Sequence, residues 1–463
     1  SIMNNVRRTA VGTALAVTTL VVLASCAGAG FAWKPSPATA ALLAGPRPAY
    51  PAARFAVISD PHLYDAVTLG AGGAAFDEEL AKDRKLVVES AEIAEQALRM
   101  VKAAGAGFLL VAGDLTWNGE RVNHESLAAM FSALEKDGVR VYVVPGNHDV
   151  LNPHAAGFGP GGRRPMPGVT PAEFAEVYRE FGYGEALRRD PGSLSYVAEP
   201  VPGLWLLGID SNRYAENTEK DGPVTDGRLD AGRIAWVETV LADALRLGKA
   251  VAVFMHHGVV EHFRLQEKSF GDYLVDDFEG IARMLAAYGA RVAFTGHYHA
   301  QDAVLARFPD GSYLYDVMTG SLATTPNVRI VTVEAGGRMV IRSEPVASLP
   351  SFAAKGVEFA PFVRTYVHDR IAGIAVATMK KMHVPDRDTA VLAPQIADAF
   401  LACYWGDERF TGTERMTRKG LSLMGRIVVA NQKNKVEPLW DDLEPVDNDL
   451  DIDLATGAWR AGK

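Results

Sequence analysis

The chain has 463 residues, of which 48% are apolar, 22% charged and 9% aromatic, and its formal net charge is −9. Those values describe a globular chain of two or three domains and exclude a disordered, collagenous or coiled-coil one. The acidic balance lacks the basic footprint of a protein that binds polymeric nucleic acid, and two cysteines, Cys26 and Cys403, exclude a disulfide framework.

Arg7 and Arg8 precede an uncharged stretch, Thr9 to Ser25, rich in Ala, Val, Leu and Thr. Its length and layout are those of a secretory leader rather than a spanning helix. It ends Leu23-Ala24-Ser25-Cys26, which resembles the bacterial lipobox. The resemblance implies a signal peptide over 1–25, lipidation of Cys26, and export to the bacterial envelope with a lipid anchor in the membrane. Residues 26–52 carry Pro35, Pro37, Pro46, Pro48 and Pro51, and predict an extended linker; a loop packed along the first domain is the alternative.

Short apolar runs follow at 54–59, 108–112, 139–144, 204–209, 250–255 and 291–295. They read as buried strands of a central sheet. Between them, 83–104 and 231–247 show apolar residues at 3.6-residue spacing and predict helices, so the region 53–349 is an α/β domain. Residues 311–346 turn to hairpin-like runs about Gly336-Gly337 and suit strands finishing a second sheet. From 350 to 463 the pattern predicts a small helical domain, with helices over 357–383 and 390–430. It ends in a solvated acidic tail holding Asp441, Asp442, Asp447, Asp449, Asp451 and Asp453. The tail is not an EF-hand loop: counted from Asp449, Leu454 and Arg460 occupy the glycine and closing glutamate positions.

The chemistry sits immediately after the predicted strands. These are followed in turn by Asp60-Pro61-His62, Gly113-Asp114, Gly146-Asn147-His148-Asp149, His256-His257-Gly258 and Gly296-His297-Tyr298-His299. The C-terminal edge of a parallel sheet is where α/β proteins assemble sites. Carboxylate, amide and imidazole donors without thiolate suit manganese, iron, zinc or nickel rather than calcium or a structural cysteine-bound zinc. A shared carboxylate would allow two ions to lie close together.

In this order the five motifs resemble the calcineurin-like metallophosphoesterases, most closely the bacterial cyclic-nucleotide phosphodiesterase-like branch with its lipid-anchored members. That resemblance implies a double β-sheet sandwich flanked by helices and two divalent transition-metal ions (manganese, iron or zinc). Asp60, His62 and His299 would hold one ion, and Asn147, His256 and His297 the other, with Asp114 bridging. His256 is favoured over His257 as the ligand. His148 would act as general acid, with Asn118, Asp149 and His257 as possible supporting or substrate contacts. The implied reaction is hydrolysis of a small phosphodiester, possibly a cyclic nucleotide, by a metal-activated hydroxide. A broad phosphomonoesterase and a non-catalytic binding lipoprotein are the alternatives. Trp117 stands where the protein phosphatases of the superfamily place an aspartate behind the catalytic histidine, which argues against that branch. His124 reads as a solvated helix-start residue.

Overall fold

The computed structural model describes residues 30–462; the leader and Cys26 lie outside them. The strands in chain order are β1 (Ala53–Ile58), β2 (Phe108–Ala112), β3 (Arg140–Val144), β4 (Ala156–Gly159), β5 (Gly162–Pro165), β6 (Arg188–Arg189), β7 (Tyr196–Val201) and β8 (Leu204–Ile209). They continue with β9 (Ala250–Met255), β10 (Val292–Thr295), β11 (Asp302–Arg307), β12 (Tyr313–Met318), β13 (Asn327–Val333), β14 (Arg338–Pro345), β15 (Asp449–Asp453) and β16 (Trp459–Ala461). Each apolar run of the sequence is a strand to within a residue or two.

Two seven-stranded sheets result, ordered β16-β15-β14-β13-β1-β2-β3 and β11-β12-β10-β9-β8-β7-β6. β1, β2 and β3 run parallel, with Val57 opposite Leu110 and Leu110 opposite Tyr142. In the second sheet β8, β9, β10 and β12 run parallel. The sheets pack face to face. Phe55 of β1 meets Phe294 of β10 edge-on at 5.6 Å, and the Tyr196 hydroxyl of β7 donates to the Val143 carbonyl of β3 at 3.0 Å. Helices Ser90–Ala103 and Arg121–Lys136 cover the first sheet, and Ala231–Arg246 and Phe278–Ala287 the second. This is the double sandwich flanked by helices that the motifs imply.

Four segments depart from the sequence reading. The Pro-rich stretch is not an extended spacer. Pro37–Leu43 is a helix capped by Ser36, and the segment lies along the second sheet's outer layer. Trp33 donates to Glu238 at 3.0 Å, Arg47 to the Ala287 carbonyl at 3.0 Å, and the buried Tyr50 hydroxyl to the Val251 carbonyl. Burying two aromatic rings outweighs the prolines' preference for a solvated, extended chain.

The helix expected from Asp83 begins at Ser90. Asp83 accepts the Lys85 amide at 3.0 Å and the Trp117 indole at 2.9 Å, and the Leu86 amide donates to Ala323. Such local side-chain bonds compete with helix formation, and they leave 83–89 as a loop buried at Lys85, Leu86 and Val87.

Helices Phe359–Lys381, Asp386–Trp405 and Leu423–Val436 are present, but 406–422 breaks the expected long helix. Val363, Ile371, Leu392 and Phe400 belong to the same continuous apolar core as both sheets.

The acidic tail is solvated only in part: Asp449 and Asp453 are exposed, but Asp447 and Asp451 are buried. Leu450 and Ile452 alternate inward as β15 adds to β14, and Asp451 is buried against Arg338, Arg342 and Arg460. Period-two alternation within DLDID carries that strand. Among the described residues no helix is long and apolar enough to cross a membrane.

Candidate metal centre

All five motifs leave the C-terminal ends of parallel strands, so they meet at one edge of the sandwich. Hydrogen bonds hold the chain beyond the strand ends. Asp60 donates its amide to Gly113 at 3.1 Å and His62 to Asp114 at 3.0 Å. Asp60, His62, Asp114, His297 and His299 all adopt left-handed backbone, with φ of 48°, 41°, 48°, 71° and 69°. Each such residue costs roughly 1–3 kcal/mol and persists only where its surroundings over-determine it. Gly113, at φ 89°, passes so close to the His256 imidazole that a Cβ there would collide with the ring.

The structure brings the residues singled out in the sequence into two adjoining groups. Asp60, His62 and His299 form one, and Asp114, His256 and His297 the other; within each, one donor atom per residue lies within 4.8 Å of the rest. All six are buried. Asp114 stands between the groups, its Oδ2 3.5 Å from His62 Nε2 and 3.4 Å from His256 Nε2. Asn147 Oδ1 is 3.2 Å from His256 Nε2. The outer nitrogens are tied back to the protein. His256 Nδ1 donates to the Ala112 carbonyl at 2.9 Å and His297 Nε2 to the Thr225 carbonyl at 3.1 Å. That fixes the tautomer and turns the other nitrogen inward, the arrangement metal-binding histidines use.

Charge and satisfaction indicate what fits here. Asp60 uses Oδ2 to accept the His297 amide at 3.0 Å, while its buried Oδ1 makes no hydrogen bond and faces His299 Nε2 at 3.4 Å and His62 Nε2 at 3.7 Å. Burial pushes His62 well below the ordinary histidine value and His299 down to about 4. Burial opposes protonation of His256 too, but the adjacent Asp114 carboxylate lifts it to about 9. The neutral imidazoles of His62 and His299 facing a carboxylate oxygen that makes no hydrogen bond, with His256 held against the Asp114 carboxylate, are a donor set for cations.

The remaining candidates separate by position. His148 donates its amide to Asp114 Oδ1 at 2.9 Å, and its Nδ1 to the Trp117 carbonyl at 2.8 Å, with Asn118 Oδ1 at 3.3 Å. A carbonyl and an amide thus orient this ring where a carboxylate is missing. Asp149 faces no substrate space. It accepts the amides of Gly146, Leu115 and Thr116 at 2.8, 3.0 and 3.0 Å, and so clamps the loops after β2 and β3 together. His257 points away from the centre, bonded to Ser211 Oγ and the Thr225 carbonyl, each at 2.8 Å. Trp117 packs edge-on against Tyr64 at 5.1 Å and is 4% exposed. His124 is buried rather than solvated, spanning the Tyr178 hydroxyl at 2.9 Å and the Asp149 carbonyl at 3.0 Å.

Sequence reasoning missed the rim. Lys85, near-buried on the 83–89 loop, lies close enough to His62 and His299 to depress both, and Arg84 stacks over Tyr404 at 5.7 Å. Tyr273 sits 4.6 Å from the His297 ring, and Tyr404, at the end of helix Asp386–Trp405, 6.4 Å from His299. Read as helix positions, Arg84 and Lys85 gave no signal; only the tertiary contact brings them here.

A dimetal phosphatase from Danio rerio shares 14% identity at a TM-score of 0.43, covering 64% of this chain and 96% of that one. A purple acid phosphatase from yellow lupin shares 11% at 0.39, covering 67% and 54%. A 5'-nucleotidase precursor from Thermus thermophilus shares 14% at 0.36, covering 72% and 60%. No curated protein sequence matches. The sequence description of the calcineurin-like phosphoesterases matches residues 53–301, more than half of the chain. Members of that family are metallophosphoesterases that use two divalent ions, and the paired clusters fit such a centre. The chain therefore belongs to the calcineurin-like phosphoesterase family.

Proposed function

We propose that the chain is a phosphodiesterase for small organic phosphodiesters, cyclic nucleotides among them, and that it is exported and lipid-anchored through Cys26. The observation that carries the diesterase reading is the partly exposed pair Tyr273 and Arg84 beside His297 and His299, backed by the buried Tyr404. An aromatic and cationic face next to phosphoester-binding groups accepts the organic part of an ester by stacking and charge.

Asp60, His62 and His299 would hold one ion, Asn147, His256 and His297 the other, and Asp114 both. When bound, the ions lower the pKa of water and offset charge at phosphorus. The chain's own residues do the rest. His148, its Nδ1 held by Trp117, presents Nε2 to the departing alkoxide and gives it a proton. Lys85 adds positive charge on the same side, and burial of the pocket strengthens its pull on a phosphate oxygen.

Lys85 also favours a second reading, a phosphomonoesterase, because a further cation matches the extra charge of a monoester dianion. Turnover of bis(p-nitrophenyl) phosphate, p-nitrophenyl phosphate and cyclic AMP by the manganese-loaded full chain separates the two. Diester cleavage supports the proposal; monoester cleavage alone overturns it, and no turnover would favour a binding role. For the anchor, mass spectrometry of the membrane-extracted chain should find diacylglycerol on Cys26; an unmodified leader there overturns that part.

A further inference from the structure

Acidic residues of the tail converge with two that follow helix Asp386–Trp405, outside the catalytic clusters. Asp407 and Glu408 follow helix Asp386–Trp405, and Asp442 and Asp447 lie on the loop leading into β15. Donor oxygens of Asp407, Asp442 and Asp447 lie within 4.8 Å of one another. These side chains are held in place by backbone. Asp447 accepts the amides of Ala303, at 2.9 Å, and Asp407, and Asp407 in turn accepts the Asp447 amide at 2.9 Å and the Asn448 side chain at 2.8 Å.

A second, independent observation points to a ligand. Glu408 is 7% exposed, and both of its carboxylate oxygens are buried with no hydrogen-bond partner; Asp442 Oδ1 is likewise unpartnered. An ionised carboxylate buried without a partner is among the costliest groups a fold can hold. Arg409 is near enough to oppose the rise of Asp442 but makes no hydrogen bond or ion pair to the four carboxylates among the described residues; two other cationic groups nearby are engaged. His262 lies between Asp302, at 2.7 Å, and Asp316, at 3.4 Å. The buried Arg329 spends both of its Nη groups on the carbonyls of Asp447, Asp302 and Met318 and on the Ser343 hydroxyl, none on a carboxylate.

We propose that Asp407, Asp442 and Asp447, whose donor oxygens meet, together with the neighbouring Glu408 bind a structural divalent cation of the calcium class, which ties the C-terminal helices to β11 and β15. Four carboxylates and no imidazole or thiolate form a hard, all-oxygen donor set, the opposite of the histidine-rich catalytic centre, and calcium completes such sets with water. Without an ion the carboxylates destabilise one another. Burial together with the charges of Asp302 and Asp442 drives Glu408 up to about 9, and burial with Asp302 and Asp407 drives Asp442 up to about 7. The ligands come from two separate stretches, which is why the tail fails the loop pattern of an EF-hand.

The site bears on the catalytic rim. Asp407 and Glu408 follow Trp405 by two and three residues, and the Tyr404 carbonyl accepts the Gln301 amide at 3.1 Å, two residues past His299. A cation here fixes the end of the helix that carries Tyr404 to the catalytic edge.

The test is calcium titration calorimetry and thermal unfolding of the chelator-treated full chain. It compares wild type, Asp442→Asn at the half-exposed rim, the Glu408→Gln/Asp447→Asn double variant, and Asp114→Asn as a catalytic-centre control. Expected are one calcium per chain in wild type and Asp114→Asn, and a rise in the unfolding midpoint with calcium in both. Affinity should fall at least about tenfold in Asp442→Asn, with the midpoint rise abolished. The double variant, if it folds, should bind none. Absence of calcium binding by wild type overturns the proposal. So does unchanged affinity in Asp442→Asn, or calcium binding that disappears in Asp114→Asn.

Discussion

Replacing Asp149 with alanine probes the clamp beneath the metal centre. The carboxylate is fully buried and accepts the amides of Leu115, Thr116 and Gly146 and the Thr116 hydroxyl, the last at 2.9 Å. A buried donor left without a partner costs roughly 1–3 kcal/mol. Three amides stranded together set the loss at about 3–6 kcal/mol, because the space the carboxylate vacates admits water to some of them. At about 2.1 cal/mol/K per residue, unfolding a chain of this length carries an entropy near 1 kcal/mol/K, so the midpoint should fall by about 3–6 °C. The same loops carry Asp114 and Asn147, so metal occupancy should fall as well. Asp149→Asn should be nearly as damaging, since its NH2 would face an amide N–H. Differential scanning calorimetry with metal analysis of the full chain reads both quantities. An Asp149→Ala protein that melts within about one degree of wild type and keeps two ions per chain would refute the clamp.

Other substitutions probe the site and its frame. Asp114→Ala should abolish both metal binding and hydrolysis, and a variant that retains either would remove Asp114 from its place between the clusters. His148→Ala should lower kcat by about 10²–10⁴ while metal content stays at the wild-type value; an unchanged kcat means another group supplies the proton. Lys85→Met should raise KM roughly tenfold with metal content intact, and an unaltered KM would exclude it from substrate binding. His262→Leu should cost about 3–5 kcal/mol by leaving Asp302 and Asp316 facing each other. The Asp302 and Asp316 carboxylates overcome the burial penalty on His262 and raise it to about 10 from 6.5. Its contribution is therefore complete below pH 6.5 and fades as pH rises through 10. Denaturant titrations from pH 6 to 10 should show that decline in wild type and not in the variant.

What the sequence made legible follows from how local each signal is. A buried parallel strand is an uninterrupted apolar run, so β2, β8 and β9 were bounded to the residue. The site residues were legible because each follows its strand directly, and the fold brings strand ends together whatever the loops do. Roles that depend on direction were not legible. Nothing in the spacing says that His257 turns to Ser211, or that Asp149 faces backbone amides. Arg84 and Lys85 matched a helical period that Asp83 interrupts by capturing the Lys85 amide and the Trp117 indole. The tail's alternation in DLDID was outweighed by its charge, because burial of Asp451 depends on three arginines, two of them from β14.

The packed course of residues 31–51 bears on where a lipidated chain would sit. Gly30 already touches the Asp277 side chain, and only residues 27–29 separate it from Cys26. Four extended steps reach about 14 Å, so a diacylglycerol on Cys26 would hold the body flush with the headgroups instead of on a stalk. Helices Ala231–Arg246 and Phe278–Ala287, against which this segment lies, would then face the bilayer. Quenching of a fluorophore at position 45 by headgroup-borne spin labels would report that contact, and an unquenched probe on vesicle-bound protein would rule it out. An enzyme seated this way samples the ion and substrate concentrations of the membrane surface, not those of the surrounding solution.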